Sequence, residues 1–264
     1  MHARSALFDV YGDHLRTRGN RAPVAALVRL LEPVGIAAPA VRTAISRMVI
    51  QGWLESVSLP SGRGYAATEQ AIRRLDRAGE RIYRTGERDW DGRWQLLLLD
   101  PIRDRSARTR VRAALGWMGY AELGDGVWVS PWPQPELDAL LAREQVTAAR
   151  ALAHDFDPPA TPAACWDLAQ LGQEYAVWLE EVTSAPRPAA WGQAPDGHDD
   201  PDRRDFAQRF HLVHDWRMFL FRDPGLPDVL LPADWPGRAA AAHFTEEADR
   251  LKPGADRFVD RCLY

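Results

Sequence analysis

The sequence predicts an α+β chain in three modules: a helical head closed by a β-hairpin (residues 1–86), a mixed middle (87–158), and a mostly α-helical part (159–264). Three observations carry this. The stretch Pro39–Trp53, PAVRTAISRMVIQGW, has an apolar helical stripe with Arg, Thr and Ser opposite, and it lies between another helical pattern and a strand–turn–strand pattern. Strand-like runs and helical patterns then alternate from Trp90 to Phe156. From Cys165 onward helical periodicity dominates and aromatics are dense.

In the head, Ser5 is placed to cap a first helix with Leu7, Phe8, Tyr11 and Leu15 on its apolar face. Pro23 can open a second helix with Leu27, Val28, Leu30 and Leu31 inward, ended near Glu32 by Pro33 and Gly35. Pro39 suits the first turn of a third helix, where no N–H bond is lost. Val41, Ile45, Met48 and Val49 form its stripe, Arg42, Thr43, Ser46 and Arg47 its outer face, and Gly52 stops it. Residues 53–59 alternate like a strand, Pro60–Gly64 is turn chemistry with Arg63 at the tip, and Tyr65–Ala67 returns. Thr68 caps a long helix with Ile72, Leu75, Ile82 and Tyr83 inward. Helix, turn, helix and hairpin in this order is a winged helix-turn-helix. Arg grips guanine or phosphate, and hydroxyls bond either, so this head reads as a DNA-binding module.

The middle module has a buried strand, Trp94–Asp100, and a helix over 104–117 with a basic face of Arg105, Arg108, Arg110 and Arg112. A hairpin over 120–130, a helix over Pro135–Ala142 and a strand over Ala148–Phe156 follow. This order, βαββαβ, is a ferredoxin-like sandwich. The basic face reads as solvated or as a dimer contact. After the linker 157–162, helices are expected over Cys165–Val182, Asp202–Leu220 and 238–261. Residues 184–202 are loop by composition.

Composition bounds the function. Apolar residues are 46% and charged residues 27%, ordinary for a chain with a real core. Two cysteines without metal spacing, Cys165 and Cys262, point to a reducing cytoplasm and against a disulfide framework. No apolar run suffices to span a membrane, and the N-terminal residues do not read as a signal peptide. Residues 1–86 hold thirteen arginines against seven acids, net +6, while the rest hold twenty Lys plus Arg against thirty acids, net −10. A basic head on an acidic body implies that the head meets a polyanion. His211 and His214 are three apart on one helix, but only His198, Asp199 and Asp200 offer further metal ligands. No nucleophile–base pair or catalytic carboxylate pair stands out, so neither enzyme activity nor a cofactor is expected.

The order of motifs SALFDVYGDHLRTRG, VRTAISRMVIQGWLE, RIYR, WDGRWQLLLLD, DGVWVSPWP and RDPGLPDVLLPADWPG resembles the PaaX family, bacterial repressors of phenylacetic-acid catabolism and related regulators. The resemblance spans nearly the whole chain. It implies an N-terminal winged helix, a Cas2-like middle domain, a helical C-terminal domain and a homodimer. It also implies release from double-stranded operator DNA when an aryl-acyl-CoA such as phenylacetyl-CoA binds. VRTAISR places Arg42, Thr43, Ser46 and Arg47 on the DNA-facing helix. The alternative is an enzyme, either a Cas2-like nuclease or an acyl-CoA-processing enzyme with an accessory winged helix. It is weakened by the single Asp100 at the end of LLLLD. An aryl group wants an aromatic wall and CoA phosphates want arginines. The expected effector contacts are therefore Tyr175 and Trp178 on one helix, with His214, Arg217 and Arg222 on and after another.

Overall fold

The computed structural model describes residues 1–83, 89–159, 162–184 and 197–264. The expected boundary at 86, Arg84 of RIYR, residues 160–161 of the linker and residues 185–196 of the expected loop lie outside them. Packing divides the chain into two compact units. The first is Met1–Thr85 with Leu179–Met218 and Ala241–Tyr264, and the second is Gly86–Trp178 with Phe219–Ala240. The helical C-terminal part contributes to both.

The first unit opens with α1 (Ala3–Asp9), which widens into a π-helical turn over Val10–Leu15 and tightens into a 3-10 turn over Arg16–Arg18. Leu7, Tyr11 and Leu15 are buried, as the periodicity predicts. The N-cap is His2 rather than Ser5; Ser5 lies inside the helix, where its hydroxyl accepts from Arg217. A short strand β1 (Arg21–Pro23) precedes α2 (Val24–Leu31), so Pro23 is the helix cap and not its first residue. Its missing N–H is tolerated at an edge strand.

The next helix, α3 (Ala38–Ile50), takes Pro39 in its first turn. Its buried stripe is Val41, Ala44, Ile45 and Met48; Val49, expected there, is 36% exposed. At 3.6 residues per turn Val49 falls past the edge of the arc that Val41 and Met48 centre, and Ala44 fills the place on the other side. Gly52, at φ +73°, lets the Trp53 N–H donate back to the Met48 carbonyl at 2.8 Å. That is the Schellman ending only an unhindered left-handed residue allows.

β2 (Leu54–Leu59) and β3 (Gly62–Ala67) form a hairpin, and the antiparallel sheet has the order β1-β3-β2. The turn is therefore shorter than expected. Arg63 is not at the tip but inside β3, opposite Ser58, with its guanidinium 5.5 Å from the Tyr65 ring centroid. Gly64 explains why β3 starts early. A Cβ there would lie 2.8 Å from the Ala22 carbonyl oxygen and collide with Leu59. Glycine lets β1 close against the hairpin, and the third strand extends the ladder. α4 (Glu69–Ile82) is capped by Thr68, whose Oγ1 accepts from the Ala71 N–H at 3.3 Å.

The first unit's core is completed from far along the chain. α8 (Pro201–Trp216) gives Phe206 and Phe210, and α9 (Pro236–Leu263) gives Ala255, Phe258 and Val259. These join Leu7, Leu27, Leu30, Ile45 and Met48 in one cluster. Fully burying each large side chain is worth about 1.5–3 kcal/mol, so the head draws much of its stability from these helices.

The second unit has β4 (Trp94–Leu99), α5 (Arg105–Trp117), β5 (Ala121–Gly124), β6 (Val127–Ser130), α6 (Leu137–Glu144) and β7 (Ala148–Ala153). The all-antiparallel order β5-β6-β4-β7 puts the first and third strands in the centre. Alternation along β4 serves two layers. Leu97 packs with Val111, Leu115, Leu137 and Leu140 of the helices, while Trp94 packs with Val129 and Leu226 on the other face. α7 (Leu168–Ser184) supplies Leu171, Tyr175 and Trp178 as buried residues. The chain is thus mixed α and β, with a helical C-terminal part. Among the described residues no helix is long and apolar enough to cross a membrane.

Candidate nucleic-acid interface

The stripe of α3 is held against the core, and this turns Arg42, Thr43, Ser46 and Arg47 outward, all four exposed. The helix contains no acidic residue. Several other arginines of the unit are neutralised: Arg16 by Asp76, Arg18 by Asp256 and Asp260, Arg203 by Glu32, Arg209 by Asp13. Among the described residues Arg42, Arg47 and Arg63 have no acidic partner, so their field reaches solvent. Thr43 Oγ1 donates to the Pro39 carbonyl at 2.9 Å and Ser46 Oγ to the Arg42 carbonyl at 3.1 Å. With both protons turned into the helix, the hydroxyls face outward as acceptors. They suit the exocyclic amino groups of adenine or cytosine. The Tyr11 hydroxyl donates to the Tyr65 carbonyl at 2.9 Å and pins the hairpin to the first helix.

The first unit also holds a buried polar cluster whose pairings no local sequence pattern announces. Asp9 (6% exposed) receives Arg217 and sits 2.7 Å from His214 Nδ1. Asp13 accepts from Arg209 Nε and Nη2, each at 2.9 Å, and from the Tyr83 hydroxyl. Arg209 Nη1 also donates to the Ala248 carbonyl, and Nη2 to the Tyr83 hydroxyl at 2.7 Å. Burial by itself would raise the Asp13 carboxyl, but the Arg209 guanidinium together with these hydrogen bonds holds it below the ordinary value. The signal available in the sequence was Asp9, Asp13 and His14 interleaved with Leu7, Tyr11 and Leu15, which are core positions.

His14 is 2% exposed, and burial pushes its imidazole down to about 4, with Asp13 and Asp256 opposing and Arg209 and Arg18 reinforcing. It is therefore neutral at neutral pH, and the Arg209 guanidinium carries the compensation of Asp13. Between about 4 and the ordinary 6.5 the unfolded chain binds a proton that the folded chain refuses. The neutral histidine's share of stability is complete above pH 6.5 and is lost as pH falls toward 4. His211, also pushed down to about 4 by burial, acts with the same sign. Denaturant midpoints should fall over this window, and His14→Gln should flatten the slope. An unchanged slope would show that His14 is protonated when folded.

The five expected effector contacts fall into different units, and no single unit brings them together. In the second unit Tyr175 and Trp178 are core. Tyr175 stacks on Phe219 at 3.9 Å between centroids and donates to Asp223 Oδ2 at 2.5 Å; Trp178 meets Phe219 edge-on. Arg222 pairs with Glu174 at 2.7 Å. In the first unit His214 and Arg217 are both engaged by Asp9. In the second unit Asp100 accepts from Thr147 Oγ1 at 2.6 Å, and two arginines of the α5 basic face are paired, Arg110 with Glu144 and Arg112 with Glu122. Among the described residues no group of three metal-type ligands occurs.

Three family models match the chain: PaaX-like protein over residues 2–71, PaaX protein central Cas2-like domain over 87–162, and PaaX-like protein C-terminal domain over 166–261. The chain is 29% identical to the transcriptional repressor PaaX of Escherichia coli (strain K12), over 97% of this chain and 82% of that protein. Among solved structures, the uncharacterized protein Rv0674 from Mycobacterium tuberculosis is similar at 26% identity and a TM-score of 0.65, over 97% of this chain and 98% of that one.

Proposed function

The chain belongs to the PaaX family, and from that premise we propose that it is a DNA-binding transcriptional repressor and not an enzyme. In this reading α3 is the recognition helix of a winged helix-turn-helix and the β2–β3 hairpin is its wing. The observation that carries it is the acid-free outer face of α3, where Arg42 and Arg47 have no acidic partner among the described residues and Thr43 and Ser46 lie between them. Arg63, one residue from the turn, meets the phosphate backbone. In this reading residues 1–86, 87–158 and 159–264 are its DNA-binding, Cas2-like and C-terminal domains. The protein acts in the cytoplasm as a homodimer, since one recognition helix offers few contacts and a two-fold pair doubles them on a palindromic operator.

The genes controlled are those of aromatic-acid catabolism of the phenylacetate type, and an aryl-acyl-CoA such as phenylacetyl-CoA relieves repression. Within the second unit Arg222 is a candidate to serve a CoA phosphate, because its side chain is 51% exposed and a phosphate can displace its partner Glu174. Tyr175 and Trp178, with Phe219 and Trp235, supply the aromatic surroundings. His214 and Arg217 leave this set, because Asp9 already holds both.

The test is titration of phenylacetyl-CoA, free phenylacetate and acetyl-CoA into the protein–operator complex. A release of ~100-fold requires the ligand to bind the DNA-free form ~2.7 kcal/mol more tightly. Phenylacetyl-CoA alone should release the DNA. Release by free acid at equal potency would overturn the role of the phosphates and of Arg222. If none of the three releases DNA, the effector class is wrong.

A further inference from the structure

The exposed face of α3 does not end at Arg47. One turn further stands Ile50, which is 85% exposed and the last residue of the helix. Residues 42, 43, 46, 47 and 50 have the spacing i, i+1, i+4, i+5, i+8 of one helical facet. At about 100° per residue Ile50 falls near the middle of the arc the four polar residues span. A single exposed aliphatic needs no explanation by itself. Ile50 differs by its placement: an apolar side chain on the centre line of a facet that otherwise carries two hydroxyls and two guanidinium groups without acidic partners among the described residues. The chain beyond it does not cover it. Gly52 turns the backbone away, and Trp53 folds back to meet Phe8 edge-on at 5.3 Å. Val49, 36% exposed, borders the same facet beside Arg42.

A duplex offers one apolar group to such a side chain in the major groove, the 5-methyl of thymine. We propose that Ile50 reads a thymine methyl in the operator and sets sequence preference at that base pair. This rests on the DNA-binding reading above. The unneutralised charge of Arg42 and Arg47 argues for nucleic acid as the occupant, because a protein partner would have to bring acids of its own to this facet.

The experiment uses the full-length protein and a duplex selected by it from a random library. Each thymine of the selected duplex is replaced singly by deoxyuridine, which removes only the methyl group. For the native protein one position per half-site should cost about fourfold in affinity, the worth of one buried methyl at ~0.8 kcal/mol. Ile50→Ala should bind the thymine duplex about as weakly and lose all sensitivity at that position alone. Because the side chain is exposed, this change leaves the core intact. If Ile50→Ala keeps the same deoxyuridine sensitivity at every position while Arg42→Ala still abolishes sequence preference, Ile50 reads no methyl and the DNA-binding reading stands. If no sequence is enriched and binding shows no salt dependence, the DNA-binding reading falls and this inference with it.

Discussion

Replacing Arg209 with alanine should destabilise the first unit by ~3–5 kcal/mol, the usual consequence of removing one partner of a buried ion pair. Domain stabilities are commonly about 5–15 kcal/mol, so the change removes a large part of the total. Three features put it at this scale. Arg209 is 5% exposed, and its guanidinium holds Asp13 through two 2.9 Å hydrogen bonds. The Asp13 side chain is 7% exposed, so water cannot replace the lost donors. His14 beside it is neutral above about pH 4 and supplies no charge in compensation. Truncation also leaves the Ala248 carbonyl without the donor it has now. Denaturant unfolding of Arg209→Ala, Asp13→Ala and the double variant would measure the coupling. A coupling below ~0.5 kcal/mol would mean that the pair is solvated and the ledger of this cluster is wrong. The apolar pair Arg209→Leu with Asp13→Leu should recover much of the loss, because the expense lies in the orphaned charge and not in the lost attraction.

Local rules made much of this fold legible, and distance in sequence set the limit. Thr68 and Gly52 act within a few residues of themselves, so a cap and a Schellman ending can be read directly. The βαββαβ order follows from runs of period 2 and 3.6 between Trp94 and Ala153. The short strand β1 left no trace, because a strand of three residues has no period. Ala44 and Val49 were confused because alanine carries little hydrophobic signal, and only the rotation of α3 against its neighbours decides between them. The Asp13–Arg209 pair spans 196 residues and the Asp9–Arg217 pair 208, and no window of sequence contains either. For the same reason His214 and Arg217, which looked free to meet a ligand, turned out to be partners of the first helix. On α3 the outward direction of Arg42, Thr43, Ser46 and Arg47 was readable, because four buried positions fix the opposite face. The hydroxyl rotamers were not, since they depend on the carbonyls one turn back.

The Arg42→Ala, Arg47→Ala double variant should lose operator binding by ~2–6 kcal/mol, on the basis of ~1–3 kcal/mol for each guanidinium that reads a base. The helix itself should survive. Both side chains are exposed and without acidic partners among the described residues, and alanine is the better helix former. Loss of affinity therefore reports contact and not unfolding. Salt separates the two possible roles of each arginine. If Arg42 or Arg47 grips phosphate, its removal weakens every duplex alike and lowers the slope of log affinity against log salt by about one. If it reads guanine, the slope stays and preference relaxes at one base pair. Arg63→Ala should behave in the first way, because the hairpin residue sits over Tyr65 with its guanidinium outward and has no helix to set it in a groove. Fluorescence anisotropy on the selected duplex and on a scrambled one, each across a salt series, distinguishes these outcomes. Equal affinity of the double variant and the native protein on both duplexes would remove α3 from the interface and, with it, the ground for treating the basic head as the reader of DNA.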